Sequence, residues 1–368
     1  MLHGGDLGAV GRRHGVDPAA LLDFSANVNP LGPPPGLVDR LSQWIASTPT
    51  AVTAYPPQDP LELREALARR HGATPEAVVV ANGSAALLDA IVRIVHPRRA
   101  LLPVPAFAEY ARALASADVE IVPFPLYDGE RFSLDAEALA AAIERSDAQC
   151  CIVCTPHNPS GSICERDDLL RLCDRTARAG RTLIVDEAFV DFSPSHDVLP
   201  EALAYPHVVV LRSLTKLFAI PGLRIGYALA HPATAVRLRS ALPSWPVSAI
   251  ALEAARLALA DESYVRRTIA FIARERASLA ARLAPLAECV FPSHANFLLL
   301  RMRHDPLLVE RMIVRHGIVV RDCERFAIAD HATFVRVAVR TRCDNERLVR
   351  ALAVETAAAS AAGEVERK

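Results

Sequence analysis

Lys216 sits in the stretch VVVLRSLTKLFAIPGLRIGY, residues 208–227, where a primary amine follows a hydroxyl-bearing turn inside an otherwise apolar segment. A buried ammonium without partners is costly, so such a lysine is paired, pushed toward its neutral form, or used covalently as an amine. Ser213 precedes it by three residues and Arg224 follows it by eight. A serine hydroxyl and a guanidinium can hold a phosphate dianion while the lysine forms an imine with an aldehyde. A solvent-facing Lys and Arg are the plain alternative, which the apolar flanks disfavour.

Further stretches carry compatible groups. In VVVANGSAALLDAIV an apolar run ends at Asn82-Gly83-Ser84 and a helical pattern begins at once. Free amides at a helix start form an anion site and glycine allows close backbone approach, although an ordinary strand-to-helix turn has the same spelling. In LIVDEAFVDF, Asp186 and Glu187 stand at the C-terminal end of a predicted strand, where ligands collect in open α/β sheets. A carboxylate there caps a helix or pairs with a cation. In CTPHNPSG, Asn158 lies in a turn fixed by Pro159 and Gly161, as a ligand or as a turn-stabilising residue. Phe107, in PVPAFAEY, offers an aromatic face. In order along the chain these pieces fit one ligand, a phosphorylated pyridine aldehyde. Pyridoxal 5'-phosphate needs an amine for its imine, a cradle for its phosphate and an acid for its ring nitrogen.

The elements that must position these groups read as an α/β chain. Short apolar runs alternate with helical patterns, as in AVVVAN then SAALLDAIVRIVH, ALLPVP then AEYARALASA, and CCIVCTP then RDDLLRLCDRTARAG. Such alternation predicts a mostly parallel sheet covered by helices. Ser133 is placed to cap LDAEALAAAIERS, and Gly180 to close the helix before Thr182. From Ser248 a long helical pattern joins the large domain to a second set of strands, NFLLLRM, GIVVRD and TFVRVAVR, which read as a smaller α+β domain. We expect an N-terminal arm over 1–30, a large cofactor-binding domain over 31–245, an interdomain helix and small C-terminal domain over 246–355, and a flexible tail over 356–368.

The 368 residues carry a formal net charge of −1, so no basic field recommends a nucleic-acid partner. Apolar runs stop short of bilayer length, and MLHGGDLGAVGRRHG lacks the apolar core of a signal peptide. We therefore expect no membrane association and a cytoplasmic location. Eight cysteines in a chain this long fit a reducing compartment. Cys151 and Cys154 form a CxxC, but in a strand-like run with no second cysteine pair or histidine cluster. That reads as buried strand, and no metal is expected.

On these motifs the chain resembles the fold-type I pyridoxal-phosphate enzymes, in the branch that holds the histidinol-phosphate aminotransferases and the threonine-phosphate decarboxylases of cobalamin synthesis. The resemblance spans His3 to about Ala353. It implies that Lys216 bears the imine, Asp186 pairs with the pyridine nitrogen, Asn158 hydrogen-bonds the ring's phenolic oxygen and Phe107 stacks on the ring. It further implies that the Ser84 and Ala85 amides, Ser213 and Arg224 hold the cofactor phosphate. Tyr55, in AYPPQDP, matches a tyrosine that reaches that phosphate from the other subunit, which implies a homodimer with shared active sites.

HGGDLGAV with LLDFSANVNPLGPP is similar to the decarboxylase opening, and Phe189 stands where the aminotransferases usually have tyrosine. Both features imply decarboxylation of a phosphorylated amino acid, L-threonine O-3-phosphate, with histidinol-phosphate aminotransferase as the alternative. Arg336 matches the arginine for the substrate carboxylate, and His3, Gly4, Asn27, Asn158 and Arg321 match positions that contact substrate. The chain departs from the family pattern at Asp6, where the HGGN opening has asparagine. It departs again at FAIADHATF before Arg336, a segment whose one basic side chain is His331.

Overall fold

The computed structural model describes residues 4–365 apart from 198, 324, 325, 327 and 329–331. Its largest sheet has seven strands, in the order Val78–Ala81, Gly226–Ala230, Val208–Ser213, Thr182–Asp186, Cys150–Cys154, Arg99–Val104 and Glu120–Pro125. Gly226–Ala230 runs antiparallel to both neighbours, and the remaining pairings are parallel. Strands covered on both faces read as unbroken apolar runs rather than as alternation, and VVVA, CCIVC, TLIVD and VVVLRS are spelled that way.

The two-residue period of a strand still sorts their side chains. Val80, Cys151, Val153, Leu183, Val185 and Val210 pack on one face, where the helices Leu61–His71, Ala136–Arg145, Arg166–Arg178 and Ala249–Leu259 cover them. Val79, Cys150, Ile152, Ile184, Val209 and Leu211 pack on the other, under Ser84–Val95, Ala108–Ala115 and Pro232–Ala241. Each fully buried aliphatic side chain stabilises the sheet by about 1.5–3 kcal/mol. The CxxC is divided by the same period. Cys151 belongs to one apolar cluster and Cys154 packs against the other, so the two thiols cannot share one ion.

A second sheet, Arg321–Asp322, Thr333–Ala338, Phe297–Met302 and Cys289–Val290, is antiparallel. Leu279, Leu283, Leu298, Leu300, Met312, Val335, Val337 and Leu348 form its core with the flanking helices. GIVVRD, expected as one strand, changes partner midway. Ile318–Val319 pairs in parallel with Leu22–Asp23 from the N-terminal arm, and Arg321–Asp322 pairs with Thr333–Ala338.

Other expectations shift by a residue or a turn. The helix from Ala136 to Arg145 is capped by Asp135, whose carboxylate accepts from the Ala138 amide at 2.9 Å, and not by Ser133. The long helical pattern after Ser248 is two helices, Ala249–Leu259 and Glu262–Leu283. Ala260 ends the first, and Asp261 caps the second by accepting from Tyr264 N at 2.9 Å, the usual effect of an acid that can satisfy free first-turn amides. The tail expected from 356 is helical as far as Val365.

Candidate active site

Parallel strands deliver their C-terminal ends to one edge of the sheet, and the antiparallel strand Gly226–Ala230 begins at that same edge. The loops that follow Ala81, Val104, Cys154, Asp186 and Ser213 therefore meet the loop that precedes Gly226. Between them lies a cavity of about 470 Å3. Ser84, Ala85, Phe107, Asn158, Asp186, Ser213, Lys216 and Arg224 line it, with Gly4, Asn27 and Arg336 from the arm and the smaller sheet.

One end of this cavity is shaped by glycine. Gly83, at φ +83°, precedes the helix Ser84–Val95 and offers no side chain to its first-turn amides. A Cβ on Gly83 would lie 2.7 Å from Arg224 Nη2, and one on Gly226 would lie 2.7 Å from Ser84 N. Both glycines are thus needed for the strand, the helix start and the guanidinium to converge. Arg224 itself occupies the left-handed region at φ +51°, which a non-glycine residue holds only when its surroundings over-determine it. Ser213 Oγ lies 2.8 Å from Thr215 Oγ1 beside this group.

Asp186 ends its strand fully enclosed. One carboxylate oxygen accepts from Ala188 N at 2.9 Å and the other from the Tyr110 hydroxyl at 2.7 Å. Burial pushes its pKa up, and the Tyr110 and Ala188 hydrogen bonds and the Lys216 charge oppose that push. Glu187 points to the other side of the strand, where it forms an ion pair with the buried Arg212 at 2.8 Å. Of the two sequence options for a carboxylate here, Glu187 takes the partner of a cation.

Lys216 has its pKa lowered to about 8, chiefly by burial and then by the Arg336 and Arg224 charges, against Asp186. Its Nζ is 5.9 Å from the centre of the Phe189 ring. The arm is tied to this turn by Asn29, which donates from its backbone N to Lys216 O at 3.2 Å and from its side chain to Leu217 O at 2.8 Å.

Arg336 donates to Asn158 Oδ1 and, at 3.0 Å, to Ser25 O. Burial lowers its pKa to about 10. Its Nε and the Asn27 Oδ1 are buried without a hydrogen-bond partner among the described residues. A guanidinium held by neutral acceptors and still short of one is prepared for an anion. Because Arg336 occupies the Asn158 oxygen, the Asn158 amide N–H is the group left for a ligand.

The remaining predicted residues lie elsewhere. Arg321 is directly opposite Arg336 in the strand pair, so the two side chains share a face, but Arg321 does not line the cavity and stacks 5.7 Å from the Phe326 ring. Tyr55 is exposed, away from its own chain's cavity, and stacks on Trp245 with ring centres 4.2 Å apart. His3 and His331 lie outside the described residues. Asp6 is exposed and caps the helix Leu7–His14 by accepting from Ala9 N at 2.9 Å, so the acid that breaks the family pattern is engaged outside the cavity. Sequence reasoning missed Tyr110 and Glu109, which also line it. For Tyr110 the signal was its place three residues after Phe107 in a helical pattern, which sets both on one face.

Known proteins are similar to this chain in sequence and in fold. The chain matches the family described as Aminotransferase class I and II over residues 19–352. It is 36% identical over 358 residues to the threonine-phosphate decarboxylase of Salmonella typhimurium, covering 95% of each chain. It is 33% identical over 359 residues to the histidinol-phosphate aminotransferase of Methanosarcina barkeri, covering 95% of this chain and 92% of that one. Its fold superposes with a TM-score of 0.85 on the histidinol-phosphate aminotransferase from Sinorhizobium meliloti in complex with pyridoxal-5'-phosphate, at 26% identity over 95% and 94% of the two chains. The chain belongs to the class I and II aminotransferase family of pyridoxal-phosphate-dependent enzymes.

Proposed function

We propose that this enzyme decarboxylates L-threonine O-3-phosphate to (R)-1-amino-2-propanol O-2-phosphate and CO2, as a step of cobalamin synthesis. Phe189 carries the reading. Its ring packs edge-on to Phe297 with centres 5.1 Å apart and lies below the Lys216 amine, where the aminotransferases of this branch usually place a phenol. Without that hydroxyl the site has no donor at this position for the cofactor's phenolic oxygen. The similarity to the Salmonella decarboxylase supports the same choice.

The cavity fits pyridoxal phosphate on its own geometry. Substituting either Gly83 or Gly226 would put a Cβ into the cradle, so the open space there is a built feature. The Ser84 and Ala85 amides, Ser213 and Arg224 would hold the phosphate, and Phe107 would flank the ring. Asp186 would pair with the ring nitrogen, the Asn158 amide would donate to the phenolic oxygen, and Lys216 would make the covalent link. Bound there, the cofactor supplies an electron sink for the pair released when a bond to the substrate Cα breaks.

Which bond breaks is decided by the residues that hold the substrate. Only a bond standing perpendicular to the ring feeds its electrons into the ring, so the carboxylate must be rotated into that position. Arg336 would grip the carboxylate, and Asn27 and Gly4, joined by Arg321 and by the His3 that the family resemblance assigns to substrate, would take the phosphate. Binding energy from the remote phosphate then fixes the rotation. Lys216, whose pKa of about 8 lets it hold and release a proton near neutrality, would return the proton to Cα.

We also propose a homodimer in which Tyr55 of the partner subunit completes the phosphate site, because Tyr55 is exposed outside its own cavity. The deciding experiment for the reaction measures CO2 from L-threonine O-3-phosphate with no 2-oxo acid present, beside amino transfer from histidinol phosphate to 2-oxoglutarate. CO2 release without an oxo acid is expected. Strict dependence on the oxo acid would overturn the proposal in favour of the aminotransferase.

A further inference from the structure

We propose that Tyr110 is a positioning residue for this reaction that acts through Asp186, its hydroxyl holding one carboxylate oxygen so that the acid faces the cavity in a single orientation. Tyr110 and Asp186 are both buried, and their hydrogen bond of 2.7 Å joins residues 76 apart in sequence. Asp186 meets a second fixed donor in Ala188 N at 2.9 Å, so two bonds from different elements define the carboxylate plane.

Tyr110 braces a second face of the cavity as well. Its ring stands at 87° to the Phe107 ring, with centres 5.7 Å apart, and its amide donates to Phe107 O at 3.0 Å. One side chain thus supports both the aromatic wall and the acid. The phenol stays a donor throughout the working range, because burial and the neighbouring Asp186 and Cys154 push its pKa well above 10. Of the titratable groups that face Asp186 among the described residues, Cys154 is likewise held neutral by burial, which leaves Lys216 as the one that changes charge. A tyrosine that merely filled the core would contribute through its ring alone, and its hydroxyl would be dispensable.

The inference rests on Asp186 pairing with the cofactor's ring nitrogen, and a double-mutant cycle separates the two. Tyr110→Phe, Asp186→Asn and the double variant are compared by titrating pyridoxal phosphate into cofactor-free protein, and by kcat and KM of the loaded enzyme. Loss of one charge-assisted hydrogen bond is expected to weaken cofactor binding roughly tenfold in Tyr110→Phe. The same variant is expected to lower kcat while the substrate KM stays within about twofold, since Tyr110 touches no substrate group. On the Asp186→Asn background Tyr110→Phe is expected to add nothing further. Losses that add in the double variant, or an unchanged Tyr110→Phe with a damaged Asp186→Asn, would overturn the inference and leave the role of Asp186 intact. An undamaged Asp186→Asn would overturn both. Melting of the cofactor-free proteins measures any contribution of the hydroxyl to folding separately.

Discussion

Replacing Lys216 by methionine should stabilise the cofactor-free protein at neutral pH, and the gain should vanish in alkali. The exchange keeps an unbranched, flexible side chain, one heavy atom shorter, and removes the charge. In the folded chain the lysine pKa falls from the ordinary 10.5 to about 8, and each tenfold change in proton affinity corresponds to about 1.4 kcal/mol. Holding the charged amine in the cavity therefore costs up to about 3 kcal/mol. Water entering the open cavity screens part of this, so about 1–3 kcal/mol is expected. Below about pH 8 the lysine is protonated in both folded and unfolded chains, and the full cost is present. Between about 8 and 10.5 the unfolded chain binds more protons than the folded one, so wild-type stability rises with pH relative to the variant. Above 10.5 both forms are neutral and the difference closes, apart from a constant offset for the methionine side chain. Urea unfolding of both proteins, stripped of cofactor, at pH 7, 8, 9 and 10 reads this directly. A gap that does not change with pH would refute the argument that burial lowers the lysine pKa.

Gly226→Ala drives a Cβ to 2.7 Å from Ser84 N and 3.0 Å from Arg212 O, both backbone atoms. It should destabilise by about 1–3 kcal/mol and weaken pyridoxal-phosphate binding more than substrate binding, which equilibrium dialysis beside substrate titration would test. Arg336→Lys loses the fork that matches a carboxylate, and should raise the substrate KM by about tenfold to a hundredfold with the cofactor spectrum unchanged. A spectrum that moves while KM holds would place Arg336 on the cofactor instead. Phe189→Tyr restores a phenol beside Lys216, and is expected to increase amino transfer to 2-oxo acids relative to CO2 release. No change in that ratio would remove Phe189 as a determinant. Asp135→Ala should cost about 1 kcal/mol of stability through the lost cap, and Ser133→Ala a few tenths, measured by thermal unfolding.

The groups that were legible in the sequence are those that directly follow strands buried on both faces. Such strands are spelled as continuous apolar runs, so a Gly83, an Asp186 or a Ser213 at the end of one stands out. Features that depend on pairing across the fold left no such trace. Glu120–Pro125 carries Pro123 and Pro125, which break a strand pattern, yet it lies at the sheet edge where missing donors are tolerated. The change of partner within GIVVRD is invisible because Ile318, Val319 and Val320 are all buried whichever strand they pair with. Tyr110 was visible as a helical residue but not as the partner of Asp186, since that contact spans 76 residues. Asp6 was legible as a departure from the family and not as a helix cap, because Gly4, Gly5, Gly8 and Gly11 around it blur the helical pattern that a cap would precede.

The antiparallel strand explains why one lysine segment can hold both the amine proposed for the covalent link and the groups proposed for the phosphate. Ser213 ends the strand Val208–Ser213, Lys216 follows it in the short helix Leu214–Leu217, and the chain then turns through Pro221–Leu223 to enter Gly226–Ala230 in the opposite direction. Had that strand crossed over to run parallel, Arg224 would begin it at the far edge of the sheet. Over its five residues the displacement would be about 16 Å, at about 3.3 Å for each residue, beyond the reach of an arginine side chain. The reversal returns Arg224 to the edge where Gly83 and Ser84 lie, and it sets Gly226 against Ser84 N, where only a residue without a Cβ fits. Strand direction, the two glycines and the strained Arg224 are therefore consequences of one requirement, an anion cradle within a few residues of the amine.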